Sequence, residues 1–352
     1  MNKLISLTSL SIACLSFFSC NVNPDDDNFI VKTGMAYVIA TDNQGQGVIT
    51  TYEPTSMTVT QNAYYAANKT NIGENPISIN FSNKIGYITV GNELNVVNPL
   101  DLKSTGKIAG LESPSYSAFL GLDKAMVANY KNNHISVINP ADRSVKGKII
   151  LPENTFAQNP VQWNNKVYFN TNSAAKSSII EITSEENKEG VIEDKITREL
   201  NIKPNSNGLS IDRMGRLWTM SIGDNDNISA PVIQLIDPVG LKVISELELT
   251  NTSPYKPRMA MINGTTEMYY IASGNVFKAQ ISGTVIESTQ FIALENLEPT
   301  ALAIDPVAQT VYVGYKVDQN TSKVVRFDRN GKINESFETA ANINNIGFYT
   351  IY

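Results

Sequence analysis

This sequence is poor in the two side chains that metal and nucleophilic sites use most. Its 352 residues include one histidine, His134, and two cysteines, Cys14 and Cys20. A single histidine excludes a multi-histidine metal site and disfavours a catalytic triad. Because His134 stands beside a predicted hairpin turn, we expect it to be solvated and without a role. These shortages disfavour an enzyme, and we predict no catalytic residues and no cofactor.

Motifs that bind phosphate or cations are missing as well. There is no Walker loop, no Gly-x-Ser-x-Gly turn and no dinucleotide fingerprint. The segment Asp224-Asn225-Asp226-Asn227 has the composition of a calcium loop, but Ile228 occupies a ligand position and no closing glutamate follows. We interpret it as a polar hairpin tip and predict no metal. The formal net charge of −6 also disfavours nucleic acid as a partner.

An apolar stretch at the amino terminus is too short for a membrane span. It extends from Leu4 to Phe18, whereas a spanning helix needs about 20 apolar residues. This length is typical of a signal peptide, which we place at residues 1–19. Ser19-Cys20 closes the stretch and resembles a bacterial lipobox, so we expect Cys20 to be lipidated. An ordinary signal peptide with an incidental cysteine is the alternative.

Residues 20–34 are predicted to be the lipidated cysteine and a flexible tether. Asp25-Asp26-Asp27 looks like the surface-export signal of lipoproteins in Bacteroidetes-type bacteria. We therefore expect an outer-membrane protein that faces outward and contacts the membrane through its lipid alone, with a periplasmic lipoprotein as the alternative. Cleavage before Cys20 would remove Cys14, so the mature chain could form no internal disulfide.

What the sequence does contain is a repeated phrase. A strand-like run is followed, after a short polar loop, by a second run that often ends in Asn-Pro or Asp-Pro, as in residues 94–99, 135–140 and 233–238. The phrase occurs seven times at a spacing of roughly 40 to 50 residues, which is typical of a β-propeller. We predict an all-β, seven-bladed propeller over residues 35–352.

Residues 76–112 illustrate one predicted blade. Strands at 77–81, 85–90, 94–97 and 104–108 are separated by turn residues and form a four-stranded antiparallel sheet. Such a sheet must pack against its neighbours to bury both faces. New blades are predicted to begin, with their innermost strands, near Pro76, Pro114, Pro160, Gly208, Pro257 and Pro299.

The two ends of the propeller are predicted to complete each other. The first blade starts at Met35 in its second-strand phrase and lacks an innermost strand, whereas residues 345–352 are a strand without a blade. Pairing the carboxyl-terminal strand with the first blade closes the ring and removes exposed edges. The charged segment 184–198 is expected to be a long hairpin rather than a helix.

One face of the predicted propeller is a candidate binding surface. The loops between blades share this face with the hairpins between second and third strands, and both are rich in tyrosine and asparagine. The candidate ligand-binding residues are Asn75, Tyr116, Asn129, Tyr130, Asn159, Tyr255, Arg258 and Tyr315. In contrast, the aromatic residues that recur at one strand position are expected to pack between blades: Tyr37, Tyr87, Tyr168, Trp218 and Tyr312.

The strands that end in Asn-Pro carry a family resemblance. Ser136-Val137-Ile138-Asn139-Pro140 resembles the strands of YncE-like and surface-layer-type bacterial propellers. With Cys20 and Asp25-Asp26-Asp27, the chain is similar to the propeller lipoproteins of gut Bacteroidetes, such as the BtuG-like proteins. That resemblance implies capture of cobalamin at the cell surface and its delivery to a TonB-dependent outer-membrane transporter. It assigns a role to no individual residue.

Two other classes of function remain open at this stage. A rigid propeller disc can serve as a non-enzymatic scaffold for protein interaction or adhesion. Some extracytoplasmic propellers are hydrolases or lyases, although the shortage of histidine disfavours that class here.

Overall fold

The computed structural model describes residues 31–186, 188–189, 192–223, 230–250, 256–294 and 297–351. These residues form seven four-stranded antiparallel sheets. The innermost strands of the sheets contact one another in a closed cycle, so the sheets are the blades of a propeller around a central channel. The prediction of an all-β, seven-bladed propeller is confirmed.

Strands are numbered along the chain. Blade 1 contains β1 (Lys32–Thr41), β2 (Gly47–Glu53) and β3 (Thr58–Thr60), and the helix α1 (Ala63–Asn68) follows. Blade 2 contains β4 (Ile79–Ser82), β5 (Ile85–Val90), β6 (Glu93–Val97) and β7 (Ser104–Ile108). Blade 3 contains β8 (Pro114–Phe119), β9 (Ala125–Asn129), β10 (His134–Asn139) and β11 (Ser144–Ile150). Blade 4 contains β12 (Phe156–Trp163), β13 (Lys166–Asn172), β14 (Ser177–Glu186) and β15 (Ile192–Ile202). Blade 5 contains β16 (Ser206–Ile211), β17 (Leu217–Ser221), β18 (Val232–Asp237) and β19 (Lys242–Glu248). Blade 6 contains β20 (Arg258–Met261), β21 (Glu267–Ala272), β22 (Asn275–Ser282) and β23 (Val285–Ala293). Blade 7 contains β24 (Glu298–Ile304), β25 (Val311–Lys316), β26 (Thr321–Phe327) and β27 (Ile333–Ala340). The last strand, β28 (Asn342–Ile351), returns to blade 1.

The carboxyl-terminal strand closes the ring as predicted. β28 is the innermost strand of blade 1 and pairs antiparallel with β1, from Lys32 opposite Ile351 to Thr41 opposite Asn342. β1 begins at Lys32, ahead of the predicted propeller start at residue 35, because Lys32 and Thr33 pair with the end of β28. Blade 1 is therefore held together by the two ends of the described chain.

The strand pattern of blade 2 agrees with the sequence analysis. β5 and β7 have the predicted bounds, β6 begins one residue earlier than predicted, at Glu93, and β4 spans Ile79–Ser82 instead of the predicted 77–81. The charged segment 184–198 also lies in strands, because β14 and β15 pair as far as Glu186 opposite Ile192. Both predictions are confirmed for the described residues.

Helix α1 was not predicted. The Tyr64 hydroxyl accepts a hydrogen bond of 3.1 Å from Asn95 Nδ2 in blade 2. Asn68 Nδ2 donates to the Leu102 carbonyl at 2.9 Å. The helix therefore fills the junction between blades 1 and 2. No helix among the described residues is long and apolar enough to cross a membrane.

The hydrophobic core lies between the blades. The recurring aromatic side chains Tyr37, Tyr87, Tyr168, Trp218 and Tyr312 are all buried, which confirms their predicted role. At the junction of blades 7 and 1, the Tyr52 ring stacks on Phe337 with centroids 5.1 Å apart and meets Tyr312 edge-on at 6.4 Å. Large rings at one position in successive blades thus join neighbouring sheets.

His134 corrects one expectation, because its side chain is buried rather than solvated. It is 4% exposed and pairs with Ile150 across the hairpin of β10 and β11. A third strand has a neighbour on each side, so its first residue can be covered even beside a turn. Burial, with a further contribution from Lys148, lowers the pKa of His134, and the ring is neutral at pH 7.

Candidate ligand-binding channel

A polar cavity of about 190 Å³ lies in the central channel. The residues that line it lie near the start of six innermost strands. Because these starts lie at the same depth in the channel, the six strands run in the same direction along it. We call the face at which they begin the upper face, and this cavity the upper cavity. It is lined by Tyr116, Asn159, Asn207, Gly208, Arg258, Met259, Thr300, Ala301, Leu302, Asn344, Asn345 and Ile346.

β-Bulges place many of these residues in the channel. Five of the innermost strands, as far as they are described, show a shift in their pairing register with the second strand near this depth. A bulge leaves an extra residue unpaired and turns side chains away from the regular alternation. The residues at these shifts include Tyr116, Asn159, Asn207, Gly208, Thr300 and Asn344.

Two of the bulges need special residues. Asn159 has a φ of 46° and Gly208 a φ of 100°, in the region that asparagine tolerates and glycine adopts freely. A Cβ atom on Gly208 would lie 2.5 Å from Met259 Cγ. Glycine is therefore required at position 208 both by the backbone angle and by the close approach of blade 6.

Buried polar side chains hold the bulge of blade 5 from behind. The Gly208 carbonyl accepts hydrogen bonds from Asn170 Nδ2 at 2.8 Å and Thr219 Oγ1 at 2.9 Å. The hydroxyls of Ser206 and Thr219 lie 2.7 Å apart. Asn170 and Thr219 are fully buried, so this part of the channel wall is fixed before any ligand arrives.

Arg258 is the charged residue of the upper cavity. Its Nε is buried and has no hydrogen-bond partner among the described residues, and the same is true of the Thr300 hydroxyl. Burial lowers the pKa of Arg258, and nearby Tyr116 opposes that shift. Burial likewise raises the pKa of Tyr116, and Arg258 opposes it. The cavity therefore contains a guanidinium beside a neutral phenol, and a guanidinium stays protonated in proteins.

A second cavity of about 250 Å³ adjoins the first, further from the upper face. We call it the lower cavity. The two share Asn159, Gly208, Met259, Leu302 and Ile346. The remaining lining residues of the lower cavity are Leu209, Ser210, Ala260, Met261, Ala303, Ile304 and Phe348.

Three of the eight predicted site residues, Tyr116, Asn159 and Arg258, come together in the upper cavity. Two others lie at the upper face outside it. Asn75 is exposed, and its backbone N–H donates to the Gly45 carbonyl at 3.1 Å. Tyr130 is partly exposed in the hairpin after β9, with Lys131 Nζ 5.1 Å from its ring centroid.

The other predicted residues do not line the channel cavities. Asn129 is fully buried, and its Nδ2 donates to the His134 carbonyl at 2.6 Å, so it holds the hairpin of blade 3. Tyr315 packs at the edge of the apolar core shared by blades 6 and 7. Tyr255 lies outside the described residues, as does the segment 224–228 that was interpreted as a hairpin tip.

Sequence reasoning missed the lining residues Asn207, Thr300, Asn344 and Asn345. A signal for part of this set was present, because Asn207 and Thr300 lie beside residues that mark predicted starts of innermost strands. That signal gives the depth of a residue in the channel. The position of a residue relative to a predicted strand start does not show which residue a bulge turns toward the channel.

No protein-family model matches the chain, and no curated protein matches its sequence. Solved structures do match. A protein from Lactobacillus plantarum superposes with a TM-score of 0.64 at 10% identity, covering 90% of this chain and 100% of its own. Apo AztD from Citrobacter koseri gives 0.60 at 12% identity, covering 91% and 99%. Hydrazine synthase from Kuenenia stuttgartiensis gives 0.58 at 12% identity, covering 88% and 99%.

These likenesses establish the fold alone, because propellers of one architecture host unrelated functions. The chain is a seven-bladed β-propeller whose channel contains a preformed polar cavity. Its function has to be argued from that cavity.

Proposed function

We propose that this chain is a non-enzymatic binding protein that captures a small molecule through the upper face of its propeller. The observation that carries the proposal is the unpartnered Arg258 Nε and Thr300 hydroxyl in the upper cavity. Buried polar groups in proteins are nearly always hydrogen-bonded. Polar groups left open toward a cavity are typical of a preformed ligand site.

The finer proposal concerns place and cargo. We propose that the protein is anchored at the outer membrane through Cys20, faces outward, and passes a bulky nutrient to a TonB-dependent transporter. The predicted signal peptide, the acidic tether and the resemblance to BtuG-like propellers support this. A corrinoid is the favoured cargo.

The channel dimensions restrict where such a cargo could lie. Pockets for drug-sized ligands measure about 300–1,000 Å³, and the upper cavity measures about 190 Å³. A corrinoid macrocycle is larger than most drugs and does not fit inside. It would therefore lie across the upper face, against groups such as Tyr130 and Asn75.

The test is a calorimetric titration of the purified protein with cyanocobalamin, followed by co-migration on a sizing column. Tyr130→Ala should weaken binding, because a flat ring is lost from the upper face. Tyr65→Ala is the matched control, since Tyr65 is an exposed tyrosine (47%) on α1, outside the upper face. Absence of heat and of co-migration would eliminate the corrinoid as cargo.

A further inference from the structure

The channel changes chemical character along its length. Its upper cavity carries amides, hydroxyls and a guanidinium, whereas the described lining residues of the lower cavity include no charged side chain. The two cavities share five lining residues and therefore adjoin each other. A ligand that fills both must therefore have a polar end in the upper cavity and an uncharged body in the lower one.

The polar end is selected by charge. Arg258 lines the upper cavity without a hydrogen bond to its Nε, and the described lining residues of both cavities include no aspartate or glutamate. A largely dehydrated cation without a counter-ion is unfavourable. A bound anion removes that penalty, and its charge-assisted hydrogen bonds are about twice as strong as neutral ones.

Neutral donors surround the guanidinium. The Thr300 hydroxyl is buried without a partner, and the Tyr116 hydroxyl is close enough for its pKa to respond to Arg258. Asn159, Asn207 and Asn345 add side-chain amides to the same cavity. Hydroxyls and amides can donate to an oxyanion without adding further positive charge.

The number of charges selects the kind of anion. A planar guanidinium matches a carboxylate with two parallel hydrogen bonds. One cation balances one negative charge, whereas a phosphate monoester carries nearly two at neutral pH. The single Arg258 therefore fits a monocarboxylate better than a phosphate.

The lower cavity selects the body of the ligand. Met259, Met261, Leu302, Ile346 and Phe348 line it, in a space of about 250 Å³. Methionine side chains adapt to ligands of differing shape. The volume limits the body of the ligand to a short chain or a single ring, and the lack of charged lining residues favours an uncharged one.

We infer that the channel binds a monocarboxylic acid with a short uncharged body, with the carboxylate on Arg258 and the body in the lower cavity. This inference rests on the proposed capture function and names the chemical class of a ligand for it. It is independent of the corrinoid proposal, because that cargo would lie outside the channel.

The experiment titrates the full protein with sodium hexanoate and follows binding by calorimetry. Hexanamide has the same body without the charge and should bind at least about tenfold more weakly, since hydrogen bonds to a charged group contribute about 1.5–3 kcal/mol. Inorganic phosphate and acetate test the headgroup alone and should bind more weakly than hexanoate, because neither fills the lower cavity.

Two variants locate the site. Arg258→Gln retains hydrogen-bond donors and much of the volume but removes the charge, and should weaken hexanoate binding at least about tenfold. Lys316→Gln removes one positive charge from the end of β25, outside both cavities, and should leave binding unchanged. Circular dichroism and the melting temperature verify that each variant is folded.

The outcomes are distinct. Hexanoate binding that requires Arg258 and exceeds binding of hexanamide supports the inference. Equal binding to wild type and to folded Arg258→Gln overturns it but leaves capture by the channel intact. Equal or tighter binding of inorganic phosphate overturns the choice of carboxylate. Failure of hexanoate and of the aromatic probe 3-phenylpropionate overturns the inference, whereas the cyanocobalamin titration decides the corrinoid proposal separately.

Discussion

Glu181 in blade 4 is buried and Arg258 in the channel is partly buried, and the fold treats the two charges in opposite ways. Glu181 is 2% exposed, and its carboxylate accepts hydrogen bonds from Lys166 at 3.0 Å, Tyr168 at 2.9 Å and Thr197 at 2.9 Å. Arg198 completes this set, with its Nε 2.9 Å from Glu181 Oε1. Both carboxylate oxygens of Glu181 therefore accept hydrogen bonds from side chains of the protein.

Arg258 has no comparable partner among the described residues. Its Nε is unpaired, and Tyr116 is the one electrostatic neighbour that affects its pKa among the described residues. The chain therefore has the means to neutralise a buried charge and uses them in blade 4. Leaving a charge open in the channel is consistent with a site completed by a ligand, because functional sites retain groups that do not stabilise the free protein.

The largest expected effect comes from substituting Glu181, the buried charge whose hydrogen bonds are all made within the protein. Burial by itself would raise the pKa of Glu181, but hydrogen bonds from Arg198, Lys166, Tyr168 and Thr197 outweigh it and lower the pKa from 4.5 to about 2. The folded state thus holds the carboxylate ionised more strongly than the unfolded state does. Its contribution to stability is complete above about pH 4.5 and is lost as the pH falls toward 2.

Glu181→Gln should accordingly lower the free energy of unfolding at pH 7 by about 3 kcal/mol and flatten its dependence on pH between 4.5 and 2. Urea unfolding at several pH values measures both. Glu185→Gln is the control, because Glu185 forms an exposed pair with Lys195, and such pairs contribute about 0–1 kcal/mol. An unchanged pH profile in Glu181→Gln would refute this account of blade 4.

The next effect concerns the rigid wall of the channel. Gly208→Ala places a Cβ against Met259 and forces a left-handed backbone angle. Urea unfolding should show a loss of about 2 kcal/mol, together with weaker hexanoate binding. Gly264→Ala has a similar φ of 83° but meets no atom within 4 Å, and should lose about 1 kcal/mol. Equal losses would mean that the approach of blade 6 does not matter.

The smallest expected effect is an increase in the free energy of unfolding rather than a decrease. Arg258→Met replaces a partly buried guanidinium, whose Nε has no partner among the described residues, by an apolar side chain of similar length. It should raise the free energy of unfolding by about 1 kcal/mol. The same substitution in blade 4, Arg198→Met, should lower it, because Glu181 loses a partner. Thermal unfolding of both variants without ligand tests the contrast. Destabilisation by Arg258→Met would mean that the guanidinium has a structural role.

The fold could be predicted from the sequence because the repeated phrase contains the residues through which neighbouring blades pack. Tyr87, Trp218 and their counterparts recur where one blade meets the next, and turn residues separate the strands of blade 2 at the observed places. Ring closure followed from the same pattern, since the first blade lacked a strand and the carboxyl terminus supplied one.

The site was predicted in part, for a physical reason. Tyr116 and Arg258 could be found because they follow the prolines that mark innermost strands. Asn129 has an equally plausible position in the sequence but turns into the blade, where it holds a hairpin. Asn344 turns toward the channel through a bulge set by its pairing with β1, some 300 residues away. A single sequence does not show such shifts of register.

The most direct measurement observes the guanidinium itself. In the ¹⁵N-labelled protein, the Nε–H signal of Arg258 can be assigned by its absence from the spectrum of Arg258→Gln. We predict that hexanoate shifts this signal in a saturable way, with the midpoint found by calorimetry, and that hexanamide shifts it only at concentrations at least about tenfold higher. A signal that stays fixed while hexanoate binds would contradict the assignment of the channel as an acid-binding site.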